Sequence, residues 1–332
     1  MSDKTDDIRK AIAGLEKTFG KGAIIRMGDR PSTRDPVAAI STGSLGLDVA
    51  LGVGGIPRGR VVEVYGPESG GKTTLTLHLI AEAQKAGLTT AFVDAEHALD
   101  VDWARNLGVD VDDLYVSQPD HGEAALEIVD ALVQTGHFGL IVIDSVAALT
   151  PKAELEGSMS DQQIGLQARL MSKGLRKITA AAAKSDTTVI FINQIRMRIG
   201  VMFGNPETTA GGKALRFYSS VRISVSGSKV VKDNGEPIGT TRTAKVVKNK
   251  VAAPFKTAVF DIMFGGEHGY GIEPYREMLT LAEDCGVIEK SGPWYAYGGE
   301  KLGRGRTAAR QFLSENPSVA KEIRAKVVEA AL

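Results

Sequence analysis

The sequence predicts an α/β protein whose central sheet is mostly parallel, followed by a small α+β domain at its carboxyl end. From about residue 37, short apolar strands alternate with helical segments, which is the pattern of a parallel sheet covered on both faces. One strand leads into a glycine-rich turn at residues 66–73 and then into a helix. After about residue 269, helical segments flank a short hairpin pattern, which indicates a smaller second unit.

The composition excludes several classes of protein. The chain has 332 residues, 43% of them hydrophobic, and its 40 basic residues balance 40 acidic ones, so net charge gives no sign of a polyanionic partner. No run of about 18 apolar residues occurs and the first residues are acidic, so we expect no membrane association and no signal peptide. The single cysteine, Cys285, leaves no internal disulfide and no zinc module, which favours a cytoplasmic location.

Residues 1–33 are predicted to form an arm that is separate from the core. Between residues 6 and 19, apolar residues recur at spacings of three and four among charged ones, which predicts an amphipathic helix. A short strand-like segment follows at 23–27. Since a lone helix and strand cannot bury their apolar faces, we expect the arm to pack either on its own core or on another copy.

The glycine-rich turn at residues 66–73 fits the pattern G-x-x-x-x-G-K-[ST] without a mismatch. Its glycines allow backbone N–H groups to surround phosphate oxygens, Lys72 can reach the β- and γ-phosphates, and the Thr73 hydroxyl can bind Mg²⁺. A glycine-rich turn without a phosphate-binding role could match this pattern by chance. The β-branched strand 61–65 before it and the helical segment 74–81 after it favour a cradle for a nucleoside triphosphate.

Four predicted strands end in polar groups. The strands 61–65, 89–93, 140–143 and 188–192 lead into the cradle, into residues 94–97, into Asp144 and into residues 193–194. Because ligands of open α/β sheets bind at the carboxyl ends of the strands, these groups are expected to share one edge.

The charges at these strand ends indicate their roles. Asp144 suits the metal-organising position of a nucleotide hydrolase, although it could instead cap the next helix. Glu96 is the candidate for deprotonating the attacking water, with Asp94 and Asp100 as alternatives close in sequence. Gln194 can donate a hydrogen bond to the γ-phosphate through its amide.

Two glycine-rich stretches, 156–165 and 195–212, lack a helical or strand period and are expected to be functional loops. In the second, arginines alternate with apolar residues, which suits a nucleic-acid backbone with wedges between the bases. The predicted helix 166–184 between them carries a basic stripe, which by itself is more typical of a solvated charged face. Its position between the two loops supports the alternative of a phosphate-binding surface. The stripe consists of Arg169, Lys173, Arg176 and Lys177.

The remaining segments are predicted to extend the sheet and to build the carboxyl-terminal domain. Strands at 217–226, 241–250 and 257–264, with a turn at 233–237, are expected to join the sheet. Helices at 276–282, 307–314 and 318–330, with a hairpin at 294–300, are expected to form the small domain.

At residues 66–74, 94–99, 194–212 and 246–256 the sequence resembles bacterial RecA recombinases, and the resemblance covers essentially the whole chain. It implies a polymerisation arm at 1–33, a RecA-type P-loop ATPase core at 34–268 with DNA-binding loops at about 156–165 and 195–212, and a duplex-capture domain at 269–332. The implied function is a DNA-dependent ATPase that forms ATP-bound filaments on single-stranded DNA and exchanges strands with a homologous duplex. Self-cleavage of a LexA-type repressor would be a further activity.

The resemblance also implies roles for individual residues, with ATP and Mg²⁺ as cofactors. Lys72, Glu96 and Gln194 would be catalytic, Thr73 and Asp144 would hold the metal, and Lys248 and Lys250 would reach the ATP of the neighbouring protomer. The ATP contacts would be Gly66, Glu68, Ser69, Gly70, Gly71, Lys72, Thr73, Thr74, Asp100 and Trp103. The DNA contacts would be Ile164, Arg169, Ser172, Arg176, Arg196, Arg198, Ile199, Gly211, Gly212 and Lys213.

Several positions differ from the usual pattern of the family. Trp103 stands where relatives usually have Tyr, and Gly70 replaces a frequent Ser. The residues 226–228 replace a basic pair of the second DNA site, and Arg242 lies one residue early, a shift that in a regular strand turns the side chain to the opposite face. The sequence ends at Leu332 without the acidic tail common in relatives.

Two other functions fit the same motifs. A RecA-like helicase or repair ATPase shares the core, but such proteins tend to carry extra domains. A filament-forming scaffold could use ATP as a structural ligand, without catalysis.

Overall fold

The computed structural model describes residues 2–24, 26, 37–158, 165–197 and 206–332. The chain divides into two compact units, Met1–Val37 and Ala38–Leu332. In the first unit, α1 (Ser2–Phe19) confirms the predicted amphipathic helix, and its residues Ile8 and Phe19 are exposed. The predicted strand-like segment is wrong at Ala23 and Ile24, which form a bend, and its residues 25 and 27 lie outside the described part.

The second unit contains the remaining helices and strands. The helices are α2 (Leu45–Leu51), α3 (Lys72–Lys85), α4 (Val101–Asn106), α5 (Gly122–Thr135), α6 (Lys152–Glu156), α7 (Leu166–Ser185), α8 (Ala214–Tyr218), α9 (Pro274–Asp284), α10 (Gly305–Glu315) and α11 (Pro317–Ala331). The strands are β1 (Ala39–Ile40), β2 (Ile56–Pro57), β3 (Val61–Gly66), β4 (Thr89–Asp94), β5 (Leu114–Ser117), β6 (Phe138–Asp144), β7 (Thr188–Met197), β8 (Glu207–Thr209), β9 (Val221–Asp233), β10 (Glu236–Asn249), β11 (Thr257–Phe264), β12 (Tyr270–Ile272), β13 (Glu289–Ser291), β14 (Trp294–Tyr297) and β15 (Glu300–Arg304).

A ten-stranded sheet, counted over the described residues, organises this unit. Its order is β12-β11-β10-β9-β3-β7-β6-β4-β5, and β8 pairs with β7. Neighbouring strands from β9 to β5 run parallel, whereas β9 to β12 are joined antiparallel. The predicted fold class, α/β with a mostly parallel sheet and a small carboxyl-terminal domain, is therefore confirmed.

The sheet is covered on both faces, as the apolar runs of its strands require. One buried cluster joins the sheet to α3 through residues such as Leu75 and Leu79, and a second joins it to α5 and α7 through residues such as Val129 and Met171. These two layers hold the carboxyl ends of β3, β7, β6 and β4 side by side, so that Gly66 pairs with Gln194 and Asp94 with Asp144. The expected common edge therefore exists.

The antiparallel extension confirms the predicted strands with one correction. Residues 217 and 218 end α8 instead of beginning a strand, and β9 starts at Val221. The predicted turn is confirmed, because Asn234 and Gly235 connect β9 to β10 with positive φ angles of 47° and 92°.

A second correction concerns the stretch 195–212, which was predicted to have no strand period. Residues 195–197 continue β7 and pair with β8.

The carboxyl-terminal segment packs around its own apolar cluster. Helices α9, α10 and α11 surround the antiparallel sheet β13-β14-β15, which confirms the predicted helices and hairpin. Leu45 of α2 belongs to the same cluster, so this segment is anchored to the start of the core. Glu277 strengthens the anchor, because its Oε1 accepts from the Leu45 N–H at 2.6 Å.

Candidate nucleotide and DNA sites

The cradle occupies the turn between β3 and α3, where the chain passes close to another strand. A Cβ atom on Gly66 would lie 2.0 Å from the Val225 carbonyl oxygen, so this position requires glycine. Helix α3 begins directly after Gly71 and directs its free N–H groups and positive dipole end into the turn. The residues predicted to bind phosphate thus form an anion site at a helix amino terminus.

Lys72 is buried and contacts the cradle itself. Its Nζ donates to the Pro67 carbonyl oxygen at 2.7 Å. Burial lowers the pKa of the Lys72 ammonium from its ordinary value, while the negative charges of Asp144, Glu96 and Glu68 act to raise it. The ammonium is therefore placed among the acidic groups of this edge, within reach of the turn.

Thr73 and Asp144 are in direct contact. The Thr73 Oγ1 donates to Asp144 Oδ2 at 2.7 Å, although the two residues belong to α3 and β6. Burial raises the pKa of Asp144 to about 6. The alternative that Asp144 caps the following helix is not what the structure shows, since the next turn begins after Ser145, with which Asp144 forms a cis peptide bond.

Glu96 lies beside this pair on the segment after β4. Its Oε1 accepts hydrogen bonds from Ser145 Oγ and from Gln194 Nε2, the latter at 3.1 Å. Gln194 stands at the carboxyl half of β7, and Ser145 follows β6, so three neighbouring strands position one carboxylate. Sequence reasoning missed Ser145, although its place directly after Asp144 was a usable signal.

The two alternative bases are already engaged. Asp94 is fully buried, and its oxygens accept from the Ala98 and Leu99 N–H groups and from Gln118 Nε2 at 3.0–3.2 Å. Asp100 caps α4, where its Oδ1 accepts from the Trp103 N–H at 2.9 Å. Glu96 is therefore the best placed of the three carboxylates.

A cavity of about 410 Å³ opens beside the cradle and is large enough for part of a nucleotide. Trp103 forms one side, where its Nε1 approaches Thr74 Oγ1 at 3.4 Å and its ring meets Tyr270 edge to face. A further part of the wall comes from β10 and β11, which the sequence motifs did not indicate. Its residues are Thr240, Arg242, Ile262 and Phe264.

A buried polar network connects the cradle strand to the second loop. Glu63 on β3 is fully buried and accepts from Arg222 Nε on β9 and from Asn193 Nδ2 on β7. The same Asn193 amide also donates to the Ala210 carbonyl oxygen at 3.1 Å. Asn193 precedes Gln194, so the strand that carries the cradle and the end of the loop are joined by one side chain.

The described ends of the two loops meet at α7. The Gly211 N–H donates to Gln167 Oε1 at 3.1 Å, and a Cβ on Gly212 would lie 2.8 Å from Ala168 Cβ. Arg169 and Arg176 of the predicted stripe are exposed on α7. Lys173 and Lys177 border a cavity of about 100 Å³ that also contains Glu123, Glu127 and Asp130 of α5, so acidic groups partly offset their charge.

The other predicted DNA contacts differ in what the structure describes. Arg196 and Lys213 are exposed, and Ser172 is half-buried on α7. Ile164, Arg198 and Ile199 lie outside the described residues, as do most of the two loops.

The two lysines predicted to act on a neighbouring protomer lie at the end of β10. Lys248 Nζ donates to the carbonyl oxygens of Arg216 and Phe217, at 2.5 and 3.2 Å, at the end of α8. Burial lowers the pKa of Lys248, and the positive charges of Lys250 and Arg222 lower it further. Lys250 is exposed.

The described residues contain neither a helix long and apolar enough to cross a membrane nor a group of three or more His, Cys, Asp or Glu residues suited to a metal.

A phosphate cradle on an open, mostly parallel sheet, with carboxylates at the adjoining strand ends, defines the class of P-loop ATPases. Residues 6–269 match the family profile "RecA N-terminal domain", and residues 276–332 match "RecA C-terminal domain". The chain belongs to the RecA family. It is a DNA-dependent ATPase and recombinase that acts in DNA recombination and repair, binds ATP and DNA, and forms filaments with copies of itself.

Relatives cover the chain almost completely. Protein RecA of Thioalkalivibrio sulfidiphilus is 59% identical over 322 residues, which are 97% of this chain and 92% of that protein. Protein RecA of Rhodospirillum rubrum is 59% identical over 97% of this chain and 86% of its own length. Protein RecA of Streptomyces venezuelae is 57% identical over 99% of this chain and 85% of its own length.

Proposed function

We propose that ATP binds in the cradle of residues 66–73 and is hydrolysed at the adjoining edge, with Glu96 as the base that activates water. The observation that carries this proposal is the position of the Glu96 carboxylate, which is held by Ser145 and Gln194 beside the cradle. Asp144 is bound to Thr73 and Asp94 to backbone N–H groups, whereas both hydrogen bonds to Glu96 end on Oε1, so its Oε2 would accept the proton of water.

Mg²⁺ fits the cradle because Thr73 Oγ1 and Asp144 Oδ2 are hard oxygen donors that lie 2.7 Å apart. These two residues would hold the ion, directly or through water. When bound, the ion would neutralise charge that develops on the phosphates. Lys72 would exchange the Pro67 carbonyl for phosphate oxygens, and the Trp103 ring would stack on the adenine, with Asp100 beside it.

Gln194 is proposed to report the γ-phosphate to the DNA loop. Its amide contacts Glu96, and its chain neighbour Asn193 contacts both Glu63 and Ala210. A phosphate that attracts the Gln194 amide would compete with Glu96 and shift the strand from which the loop begins. ATP binding at the cradle and DNA binding at the loop would then favour the same position of the end of β7.

The primary strand of DNA is proposed to lie along α7 and the ends of the two loops. Support comes from the contact of Gly211 and Gly212 with the first turns of α7, which brings Arg169 close to the loop end. The exposed cations Arg176, Arg196 and Lys213 would add phosphate contacts. Homology is then sensed by base pairing, and the protein needs little direct contact with base edges.

Further roles are proposed from family membership. The arm at 1–33 would join protomers in the filament, and 269–332 would capture duplex DNA. Lys250, with Lys248, would act on the ATP of the next protomer. A LexA-type repressor would be a partner in the SOS response, and the protein would work in the cytoplasm, where its single free Cys285 is stable.

Replacement of Glu96 tests the proposed chemistry. We expect Glu96→Gln to reduce DNA-stimulated ATP turnover by about 10²–10⁴-fold, because the amide cannot accept the proton. Affinity for ATP and for single-stranded DNA should stay within twofold or so of the parent, since the amide still bonds to Ser145. Steady-state phosphate release and nucleotide and DNA titrations measure the two effects.

The same experiment separates the competing functions. A scaffold that uses ATP without hydrolysis would retain its function in Glu96→Gln, and unchanged turnover would exclude Glu96 as the base. Glu329→Gln is the matched control, because that carboxylate is exposed on α11 and is assigned neither to catalysis nor to nucleotide binding. The helicase or repair ATPase alternative is not favoured, since both RecA domains match in this chain.

A further inference from the structure

Arg242 of β10 points into the cavity beside the phosphate cradle. It lines the same cavity as residues 69–74, and its Cγ and Nε lie 3.7 Å from the position that a Cβ on Gly71 would occupy. Because Gly71 immediately precedes the first turn of α3, the guanidinium stands near the N–H groups that form the anion site.

Arg242 faces the cavity through the ordinary alternation of β10, with Thr240 on the same side, and an irregularity between β9 and β10 lies opposite it. Thr241 pairs with Lys229 and Thr243 with Ser226, so two residues of β9 stand opposite Arg242. Gly227 has a φ of 92°, and its carbonyl oxygen accepts a hydrogen bond from Arg242 Nη1. Glycine is the residue that adopts the positive φ of such a bulge without strain. The two departures from the family pattern, at 226–228 and at 242, are therefore one structural unit.

Among the described residues, no carboxylate forms an ion pair with Arg242. Its Nε is buried without a hydrogen-bond partner, and burial is the single cause that lowers the pKa of the guanidinium from its ordinary value. A guanidinium with a buried, unpaired Nε is suited to an anion, and guanidinium forks match phosphate oxygens well.

We propose that Arg242 binds, within its own protomer, the phosphate oxygens that ADP and ATP share. This inference rests on the proposed nucleotide site and adds a second cation to it. Lys72 approaches from α3 and Arg242 approaches from β10, so two different elements would supply cations to the same phosphates. Arg242 would therefore strengthen the binding of both nucleotides instead of selecting ATP.

The test measures ADP affinity in a background where binding at this cavity can be seen directly. Trp294→Phe leaves Trp103, at the cavity, as the single tryptophan, so energy transfer from Trp103 to N-methylanthraniloyl-ADP reports occupancy. In this background we expect Arg242→Met to raise the Kd for the probe and for competing unlabelled ADP by about tenfold or more. Arg242→Lys should recover part of the loss. Lys245→Ala, an exposed cation on the same strand, should bind like the parent.

Two results would overturn the inference about Arg242. An unchanged Kd in Arg242→Met overturns the inference, and so does a loss of adenosine affinity by the same factor, because Arg242 would then contact the ribose or base. Absence of energy transfer in the parent background would contradict the proposed nucleotide site itself. Thermal denaturation without nucleotide shows whether Arg242→Met is folded. If it is not, Arg242→Gln replaces it, because the Gln amide keeps a donor for the Gly227 carbonyl oxygen, and the same criteria apply.

Discussion

Glu277 of α9 places its carboxylate at the amino terminus of α2, 232 residues away in sequence. Oε2 accepts from Ser44 Oγ at 2.7 Å and from the Gly46 N–H at 3.2 Å. Burial raises the pKa of Glu277 to about 7, although these hydrogen bonds act to lower it. The unfolded chain would instead titrate near the ordinary glutamate value of about 4.5.

This difference makes the stability of the nucleotide-free protein depend on pH. A folded-state pKa above the unfolded one contributes stability that is complete below pH 4.5 and is lost as pH rises through about 7. Between about pH 5 and 7.5, we expect the free energy of unfolding to fall by roughly 3 kcal/mol less in Glu277→Gln than in the parent protein. Urea unfolding at a series of pH values measures the slope.

Glu329→Gln, at an exposed position of α11, is the control for removal of a carboxylate. The pKa values of Asp48 and Asp144, raised by burial to about 6, give both variants a residual slope of the same sign. A Glu277→Gln protein with the slope of its parent would show that this carboxyl group does not titrate in the expected window.

At the residue scale, the sequence predicted positions better than contacts. Lys72, Thr73, Glu96, Asp144 and Gln194 were found because each follows a strand whose apolar pattern is strong. The one-residue offset of Arg242 predicted a reversed side chain, and Arg242 lines the cradle cavity on the same face of β10 as Thr240. The bulge at Gly227, which lies opposite Arg242, was not predicted. A bulge depends on pairing between strands, which local sequence patterns do not encode.

At the element scale, the strands β9, β3 and β7 are joined through Glu63, which forms a buried ion pair with Arg222 and accepts a hydrogen bond from Asn193. Arg222 of β9 bonds to Glu63 of β3, and the Arg222 guanidinium also lies 4.7 Å from the centre of the Tyr65 ring. We expect Arg222→Met to lower the unfolding free energy by about 3–5 kcal/mol, because Glu63 would remain buried and uncompensated. Denaturant titration by circular dichroism measures the loss.

The double variant Glu63→Leu/Arg222→Met is the informative partner. Removal of both charges should restore most of the stability, since a buried pair is often replaceable by apolar residues. It should not restore the link from Asn193 to β3, so a recovered fold with weakened DNA stimulation of turnover is expected. A single variant that costs less than about 1 kcal/mol would show that water reaches Glu63.

Parallel strands and long helices were predictable elements because their apolar periods are local. The strand pair of residues 195–197 with β8 was not, since its members are short and are separated by a stretch without a period. The pairing of β9 with β3 was also beyond the sequence pattern. It nevertheless builds the network that joins Glu63, Arg222 and Asn193.

At the scale of the whole filament, the proposed action of Lys250 across a protomer boundary can be tested by mixing. Lys250→Ala and Glu96→Gln proteins should each be inactive alone. In a random equal mixture, about one quarter of head-to-tail interfaces would combine an intact Glu96 with an intact Lys250. We therefore expect DNA-stimulated turnover to recover towards a quarter of the parent value, measured by phosphate release.

The mixing ratio provides the internal control. Recovery should vanish at either extreme of the ratio and be greatest near equal amounts. No recovery at any ratio would argue that Glu96 and Lys250 serve the same protomer's site, or that Lys250 has no part in turnover. Lys248 is a less clean choice for this experiment, because its ammonium already holds the end of α8.

The cavity wall supplied by β10 and β11 has a consequence for synthesis of the chain on the ribosome. The cradle emerges early, but Arg242, Ile262 and Phe264 follow it by about 170–190 residues, which takes about 10–40 seconds at about 5–20 residues per second. A nascent chain would therefore expose an incomplete nucleotide site during most of its translation. ATP could stabilise the newborn protein only near the end of elongation, so early folding must rely on the parallel strands alone.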